Sequence, residues 1–119
     1  MYLRGNSMLA LVLSALVASP ANADASQCEW KETPVQRGEC FLEDGKDSLA
    51  RGDSDVASKH FLEGLRWIGD EYLAPPTSEN SASKLLTKAA LASRSGDSKG
   101  AALLRMTVLD DALGRAKDQ

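Results

Sequence analysis

Two cysteines, Cys28 and Cys40, are the residues of this sequence that most directly suggest covalent chemistry. Their spacing is much wider than the C-x-x-C spacing of redox-active pairs. The single histidine, His60, is remote in sequence from both thiols, which argues against a zinc site. With two cysteines the connectivity is forced if a bond forms. We therefore predict a structural disulfide, which in the chain-entropy model stabilises the fold by about 3 kcal/mol for a loop of this size.

Two short motifs suggest sharper chemistry. Ser81 and Lys84 have the S-x-x-K spacing of penicillin-binding proteins and β-lactamases, in which the serine is a nucleophile. The chain is too short for that fold and lacks S-D-N and K-T-G, so we interpret this segment as the polar first turn of a helix. Arg51-Gly52-Asp53-Ser54 spells an integrin-binding tetrapeptide, but a helix stop followed by a helix cap explains the same residues.

His60, Glu63 and Trp67 have the spacing of one flank of a helix. A histidine beside a carboxylate can act as a general base, and the pair Asp110-Asp111 could also transfer protons. A chain with one histidine, no phosphate loop, no metalloprotease motif and no plausible Ser-His-Asp set favours binding over catalysis. Trp and Tyr are over-represented at binding hot spots. We therefore predict no catalytic residue, cofactor or metal, and a set of partner-binding residues that consists of Trp67, Tyr72, His60 and Glu63.

Helix-starting and helix-breaking residues divide the chain after residue 38 into four predicted helices. The Gly-Asp pairs at 52–53 and 96–97 each end one helix and cap the next, and Pro75-Pro76 ends the second helix. No run alternates β-branched and polar residues, so the predicted fold class is all-α. The predicted helices span residues 39–51, 53–73, 77–94 and 97–116.

The residue pattern gives two of these helices a distinct face, and we predict the face of the second helix to be buried. The clearest apolar stripe is on the second helix and consists of Ala57, Phe61, Gly64, Leu65, Ile68 and Tyr72. The third helix has a face of small and apolar residues, which consists of Ala82, Leu85, Leu86, Ala89, Ala90 and Ser93.

The segments 51–57 and 95–101 resemble one another. Each runs from the end of one helix through a Gly-Asp corner to the start of the next, with an alanine at the last position of both segments. The first unit has Phe41, Gly45, Gly52-Asp53, Ala57, Phe61 and Gly64, and the second has Leu85, Ala89, Gly96-Asp97 and Ala101. On these residues the chain resembles tetratricopeptide-type repeats, although Arg105 stands where that family has an aromatic residue. The resemblance implies two stacked helix-turn-helix hairpins that bind a protein or peptide in a concave groove lined by the first helix of each.

Residues 1–23 are typical of a secretory signal peptide. Arg4 precedes an apolar run at 8–18, and Ser19-Pro20-Ala21-Asn22-Ala23 supplies a breaker and an A-x-A cleavage site. The run has about half of the roughly 20 apolar residues that a spanning helix needs. We therefore predict cleavage after Ala23 and no stable membrane insertion afterwards, with an uncleaved anchor as the alternative. The predicted domains are a signal peptide (1–23), an irregular N-terminal arm (24–38) held by the disulfide, and an α-helical repeat-like domain (39–119).

The chain has 119 residues and a formal net charge of −3, and no window clusters lysine and arginine. This argues against nucleic acid and anionic membrane surfaces as partners. We predict an exported, periplasmic or secreted, non-catalytic protein-protein interaction module, such as an adaptor or assembly factor, that binds another exported protein or a peptide. The alternative is a small periplasmic inhibitor or immunity protein that blocks an exported enzyme.

An adaptor and an inhibitor predict different surfaces. An adaptor would have a concave groove with exposed aromatic residues, whereas an inhibitor would have a protruding loop or an acidic ridge, with Glu63, Asp70 and Glu71 as the nearest candidates. Repeats of this class normally need about three units for stability. We therefore expect the arm, a capping helix or self-association to cover an open face.

Overall fold

The computed structural model describes residues 27–118, in which all regular structure is helical and no strand occurs. The helices are α1 (Pro34–Ala50), α2 (Ser54–Ile68), α3 (Ala82–Arg94) and α4 (Ser98–Lys117), with a 3-10 turn at Asp70–Tyr72 between α2 and α3. The prediction of an all-α fold built from two helix-turn-helix hairpins is confirmed. The predicted signal peptide, its cleavage site and the first residues of the arm lie outside the described residues. Within residues 27–118, no helix has the length and the hydropathy needed to cross a membrane.

The first helix begins earlier than the sequence interpretation placed it. Thr33 is its N-cap, and the Thr33 Oγ1 atom accepts a hydrogen bond from the Gln36 backbone N–H (3.1 Å). The Gln36 side chain accepts one from the Thr33 N–H in return (3.1 Å), which completes a capping box. Pro34 occupies the first helical position, where a missing N–H costs no helical hydrogen bond. The prediction of an irregular arm is therefore wrong for residues 34–38, because Pro34 starts a helix here and does not interrupt one. It is also wrong for residues 27–29, which are helical.

The second and third helices are shorter than predicted. Gly69 has a φ of 83°, a left-handed conformation that ends α2 at Ile68, so Pro75-Pro76 is not the stop. Ser81, and not Thr77 or Ser78, caps α3, and its hydroxyl accepts a hydrogen bond from the Lys84 N–H (3.3 Å). The connection between the two hairpins is therefore longer than the sequence predicts.

The two hairpins meet through α4. Close approach is possible because three glycines face large side chains on neighbouring helices. A Cβ atom at Gly38 would lie 2.9 Å from Ile68, a Cβ atom at Gly64 would lie 2.7 Å from Leu109, and one at Gly45 would overlap the edge of the Phe61 ring. The largest side chains that are completely or almost completely buried at this junction are Phe41, Phe61, Leu109 and Leu113.

The order of packing differs from the order in the chain. Helix α4 packs against α1 and α2 as well as α3, whereas the extensive packing of α3 is with α4. Arg105 on α4 reaches α2, where its guanidinium donates a hydrogen bond to the Ser58 hydroxyl (3.1 Å). Because α4 lies between α3 and the first hairpin, α1 and α3 do not line the common groove that the repeat resemblance implies.

The predicted faces follow this packing. Ala57, Phe61, Gly64 and Ile68 of the α2 stripe are buried, and Leu65 and Tyr72 are half-buried. On α3, Ala82 and Ala89 are buried and Leu85 and Leu86 are half-buried, but Ala90 and Ser93 are exposed. Only part of the small-residue face of α3 is covered, because that helix has one extensive neighbour. Leu91 on its outer side is 54% exposed.

Candidate interaction surface on the arm

The disulfide predicted from the sequence is present. Cys28 and Cys40 are joined, with their Cα atoms 5.4 Å apart, and the bond attaches the arm to α1. A carboxylate oxygen of Asp44 lies 3.2 Å from the buried Cys28 Sγ atom. Because each sulfur is bonded to the other, neither carries a proton or is available as a metal ligand. The grouping of Cys28, Cys40 and Asp44 is therefore not a metal site while the bond is intact.

Arg37 on the first turn of α1 provides a second attachment for the arm. Its Nε atom donates a hydrogen bond to the Glu29 carbonyl oxygen (3.2 Å), and an Nη atom donates to the Glu32 carbonyl oxygen (3.5 Å). The same guanidinium lies over the indole ring of Trp67 on α2, with its central carbon 4.7 Å from the ring centroid. Arg37 thus connects the arm, α1 and α2.

Between these attachments the arm presents Trp30, whose side chain is 81% exposed. Tryptophan side chains are highly buried on average in folded proteins, so such exposure on a fixed segment is unusual. Trp30 lies at the edge of an open groove of about 650 Å³, whose lining also includes Lys31, Glu32, Gln36, Glu39, Cys40 and Glu43. We call these seven residues the arm surface.

A second groove, of about 400 Å³, lies on the other side of Glu39 and Glu43, between α1 and α4. Lys117 at the end of α4 forms an ion pair with Glu39 (2.5 Å), and this hydrogen bond and the charge of Glu39 raise the pKa of Lys117. Glu43 has a longer contact with Lys46 (3.6 Å), in which both side chains are largely exposed. The carboxylates of the arm surface therefore differ in how strongly the chain itself engages them.

Trp67, one of the predicted partner-binding residues, is already engaged by its own chain. It is half-buried, with the guanidiniums of Arg37 and Arg66 over its ring at 4.7 and 5.2 Å from the centroid. Its indole N–H is buried and has no hydrogen-bond partner among the described residues. A buried donor without a partner costs free energy. Trp67 thus has a structural role between α1 and α2, whether or not it also contacts a partner.

The other predicted contact residues occupy two different places. Glu63 accepts two hydrogen bonds from Arg66 (3.0 and 2.7 Å), and this interaction raises the pKa of Arg66. His60 is half-buried and its ring centroid lies 6.4 Å from that of Phe41 on α1. Both share the α1-facing flank of α2 with Trp67, as their spacing predicted. Tyr72 does not, because it lies beyond Gly69 in the 3-10 turn, where it packs against the core.

The motif Ser81-Ala82-Ser83-Lys84 has the role of a helix start. Ser81 is completely buried, and its hydroxyl oxygen accepts from the Lys84 backbone, whereas the Lys84 side chain is exposed. A buried N-cap hydroxyl is not accessible for nucleophilic attack on a substrate. Of the pair Asp110-Asp111, Asp111 forms an exposed ion pair with Arg115 (2.8 Å).

Comparisons with protein-family models, curated proteins and solved structures give no match to this chain. The resemblance to tetratricopeptide-type repeats therefore stays a prediction that depends on the sequence pattern.

Sequence reasoning missed Trp30, which belongs to the arm surface, and Arg37, which attaches the arm to α1. A signal for Trp30 was available, because it directly follows Cys28-Glu29 in a short polar segment that has no apolar face to cover it. The role of Arg37 has no comparable local signal, because its partners come from the arm on one side and from α2 on the other.

Proposed function

We propose that this chain is an exported, non-catalytic protein-protein interaction module that presents Trp30 and the groove beside it to another exported protein or peptide. The observation that carries this proposal is the 81% exposure of Trp30 on a segment fixed by a disulfide and by Arg37. Tryptophan is among the residues most enriched at binding hot spots. A segment that is ordered before binding loses less conformational entropy when the partner arrives.

Export is supported by two independent features. Residues 1–23 have the pattern of a signal peptide, and the Cys28–Cys40 bond suits an oxidising compartment such as the periplasm or the extracellular space. If both interpretations are correct, mass spectrometry of the exported protein will find a chain that begins at Asp24 and contains no free thiol. A chain that retains residues 1–23 would instead support the uncleaved anchor.

The inhibitor hypothesis has one specific observation in its favour. The arm places the acidic residues Glu29 and Glu32 on either side of an exposed aromatic residue, which is the acidic, projecting segment that an inhibitor could insert into a basic active site. Of the candidates from the sequence, Glu63 is less suited because it is engaged by Arg66, whereas Asp70 and Glu71 are exposed. Both hypotheses use the same surface, so the identity of the captured partner distinguishes them.

The experiment that tests the proposal is affinity capture by the full exported chain from the envelope and secreted fractions of the producing cell. We expect Trp30→Ala to lose the partner that the wild type retains. Leu91→Ala is the matched control, because Leu91 is also a large, exposed apolar residue but lies on α3. Equal capture by the Trp30→Ala variant would contradict the proposal, and selective loss with Leu91→Ala would place the interface on α3.

A further inference from the structure

We propose that the arm surface binds an extended cationic segment of the partner, with an arginine or lysine side chain stacked on Trp30 and paired with Glu32 and Glu43. This inference rests on the proposed function and adds the chemical class of the bound segment. The groove is open to solvent and is lined along α1, which suits a polypeptide more than an enclosed small molecule.

Charge complementarity is the first argument for a cationic occupant. The lining contains the three glutamates Glu32, Glu39 and Glu43, against the single cation Lys31. Glu39 is already held by Lys117, whereas no ion pair within residues 27–118 engages Glu32, and the contact between Glu43 and Lys46 is long and exposed. Exposed pairs of that kind contribute little and exchange readily. Glu32 and Glu43 are therefore the carboxylates that an incoming cation would meet.

The second argument comes from the same chain. On α2, the guanidinium of Arg66 lies over the ring of Trp67 and donates two hydrogen bonds to Glu63, so one cation satisfies an aromatic face and a carboxylate together. The arm surface has the indole and the carboxylates of this arrangement. Within residues 27–118, no cation lies over the Trp30 ring. A guanidinium from the partner would complete the set, because the negative face of an indole attracts cations.

The dimensions of the groove indicate the length of the segment. Gln36, Glu39 and Glu43 line one face of α1, and the rise of 1.5 Å per helical residue gives about 10 Å from the first to the last. An extended chain covers that length with about three residues, and its alternate side chains point to the same side. The sequence pattern of a bound segment that fits this groove is therefore a cationic residue, any residue and a second cationic residue.

The test uses two synthetic peptides and the full chain. The first is acetyl-Gly-Arg-Gly-Arg-Gly-amide, and the second has citrulline, a neutral analogue of arginine, at both arginine positions. Binding is measured by calorimetric titration at low salt. We expect the arginine peptide to bind at least tenfold more tightly than the citrulline peptide, because the neutral analogue lacks the charge.

Variants then locate the binding. We expect Trp30→Ala and the double variant Glu32→Gln/Glu43→Gln each to weaken binding of the arginine peptide at least fivefold. The matched control is Asp55→Asn/Glu79→Gln, which removes the same charge at exposed positions outside the groove and is expected to stay within twofold of the wild type. All the altered side chains are exposed, so circular dichroism and the melting temperature will show whether each variant is folded.

Each result has a defined meaning. Equal binding of both peptides, or equal weakening by the two double variants, would overturn the cationic assignment, because binding would then depend on the peptide backbone or on net charge alone. Partner capture that requires Trp30, without binding of the arginine peptide, would mean that Trp30 itself enters a pocket of the partner. That outcome would overturn this inference and leave the proposed function standing. Capture that does not depend on Trp30 would remove both.

Discussion

The same substitution, glycine to alanine, is expected to have opposite effects at two positions of this protein. Gly45 lies in α1 at the crossing with α2, where an added Cβ atom would overlap the edge of the Phe61 ring. Gly114 lies in α4, where an added Cβ atom meets nothing within 4 Å. Both residues are helical, so the gain in helix propensity is of the same kind at both positions. Their comparison therefore isolates the cost of close packing.

The magnitudes follow from two competing effects. Replacing a helical glycine by alanine is favourable by roughly 0.5–1 kcal/mol, with the smaller value expected for Gly114 near the end of α4. At Gly45 this gain is opposed by overpacking, which typically costs about 1–3 kcal/mol. Phe61 is completely buried, so its ring cannot swing into solvent to make room. We expect Gly45→Ala to destabilise the fold by about 2 kcal/mol and Gly114→Ala to stabilise it by about 0.5 kcal/mol.

The assay is thermal unfolding of the oxidised chain followed by circular dichroism. For a domain of this size, 1 kcal/mol shifts the melting temperature by roughly 4–8 °C. Gly45→Ala should therefore melt at least about 8 °C lower than the wild type, and Gly114→Ala should melt slightly higher. An increase in melting temperature for Gly45→Ala would refute the close crossing of α1 and α2. A large decrease for Gly114→Ala would show that this side of α4 is covered.

Three further predictions concern the contacts around the first hairpin. Reduction of the Cys28–Cys40 bond is expected to destabilise the fold by about 3 kcal/mol while preserving most of the helical circular dichroism; an unchanged melting temperature would contradict a stabilising disulfide. Trp67→Phe removes the buried indole N–H that lacks a partner and keeps an aromatic ring. We therefore expect chemical denaturation to show a loss of stability below about 1 kcal/mol, compared with about 3 kcal/mol for Trp67→Ala. Equal losses of stability would show that the ring does not stabilise the crossing of α1 and α2. The ion pair with Glu39 raises the pKa of Lys117, so its stabilising contribution is present below the ordinary lysine pKa of about 10.4 and is lost as the pH rises through the higher pKa of the folded state. Between pH 8 and pH 11.5 the free energy of unfolding, measured by chemical denaturation, should therefore decrease less for Lys117→Met than for the wild type. An identical decrease would contradict the coupling.

The parts of the fold that could be predicted from the sequence are those with local causes. The corners at Gly52-Asp53 and Gly96-Asp97 form where two adjacent residues indicated them, and the stripe on α2 is buried at most of its positions. The start of α1 also has a local signal, the Thr33-x-x-Gln36 capping box, which the prediction of an irregular arm to residue 38 overlooks. Pro34 does not argue against this helix start, since a proline is tolerated at the first helical position and breaks a helix only at interior positions.

The packing order and the arm surface could not be predicted in the same way. Helix α4 rather than α3 meets the first hairpin because Gly64 leaves space for Leu109, a match between residues far apart in the chain. A periodic pattern indicates which face of a helix is buried, but it does not indicate which helix covers that face. The exposure of Trp30 likewise depends on how the arm is held. The Cys28–Cys40 bond could be predicted, but the hydrogen bonds from Arg37 to the arm do not follow from the local sequence.

The attachment of the arm by a covalent bond also separates two stages in the maturation of this protein. The clustered core residues belong to the helices and not to the arm, so we expect the hairpins to form before the bond does. In the reduced chain the arm would be held mainly by the hydrogen bonds from Arg37, each of which contributes about 0.5–1.5 kcal/mol. Ordering the backbone of the arm costs about 1–2 kcal/mol of conformational entropy for every residue, so these bonds do not offset it. We therefore expect the body to be folded first and the recognition surface to appear only after oxidation. If the proposed function is correct, a copy that is still in a reducing compartment would be helical and yet unable to bind a partner through Trp30.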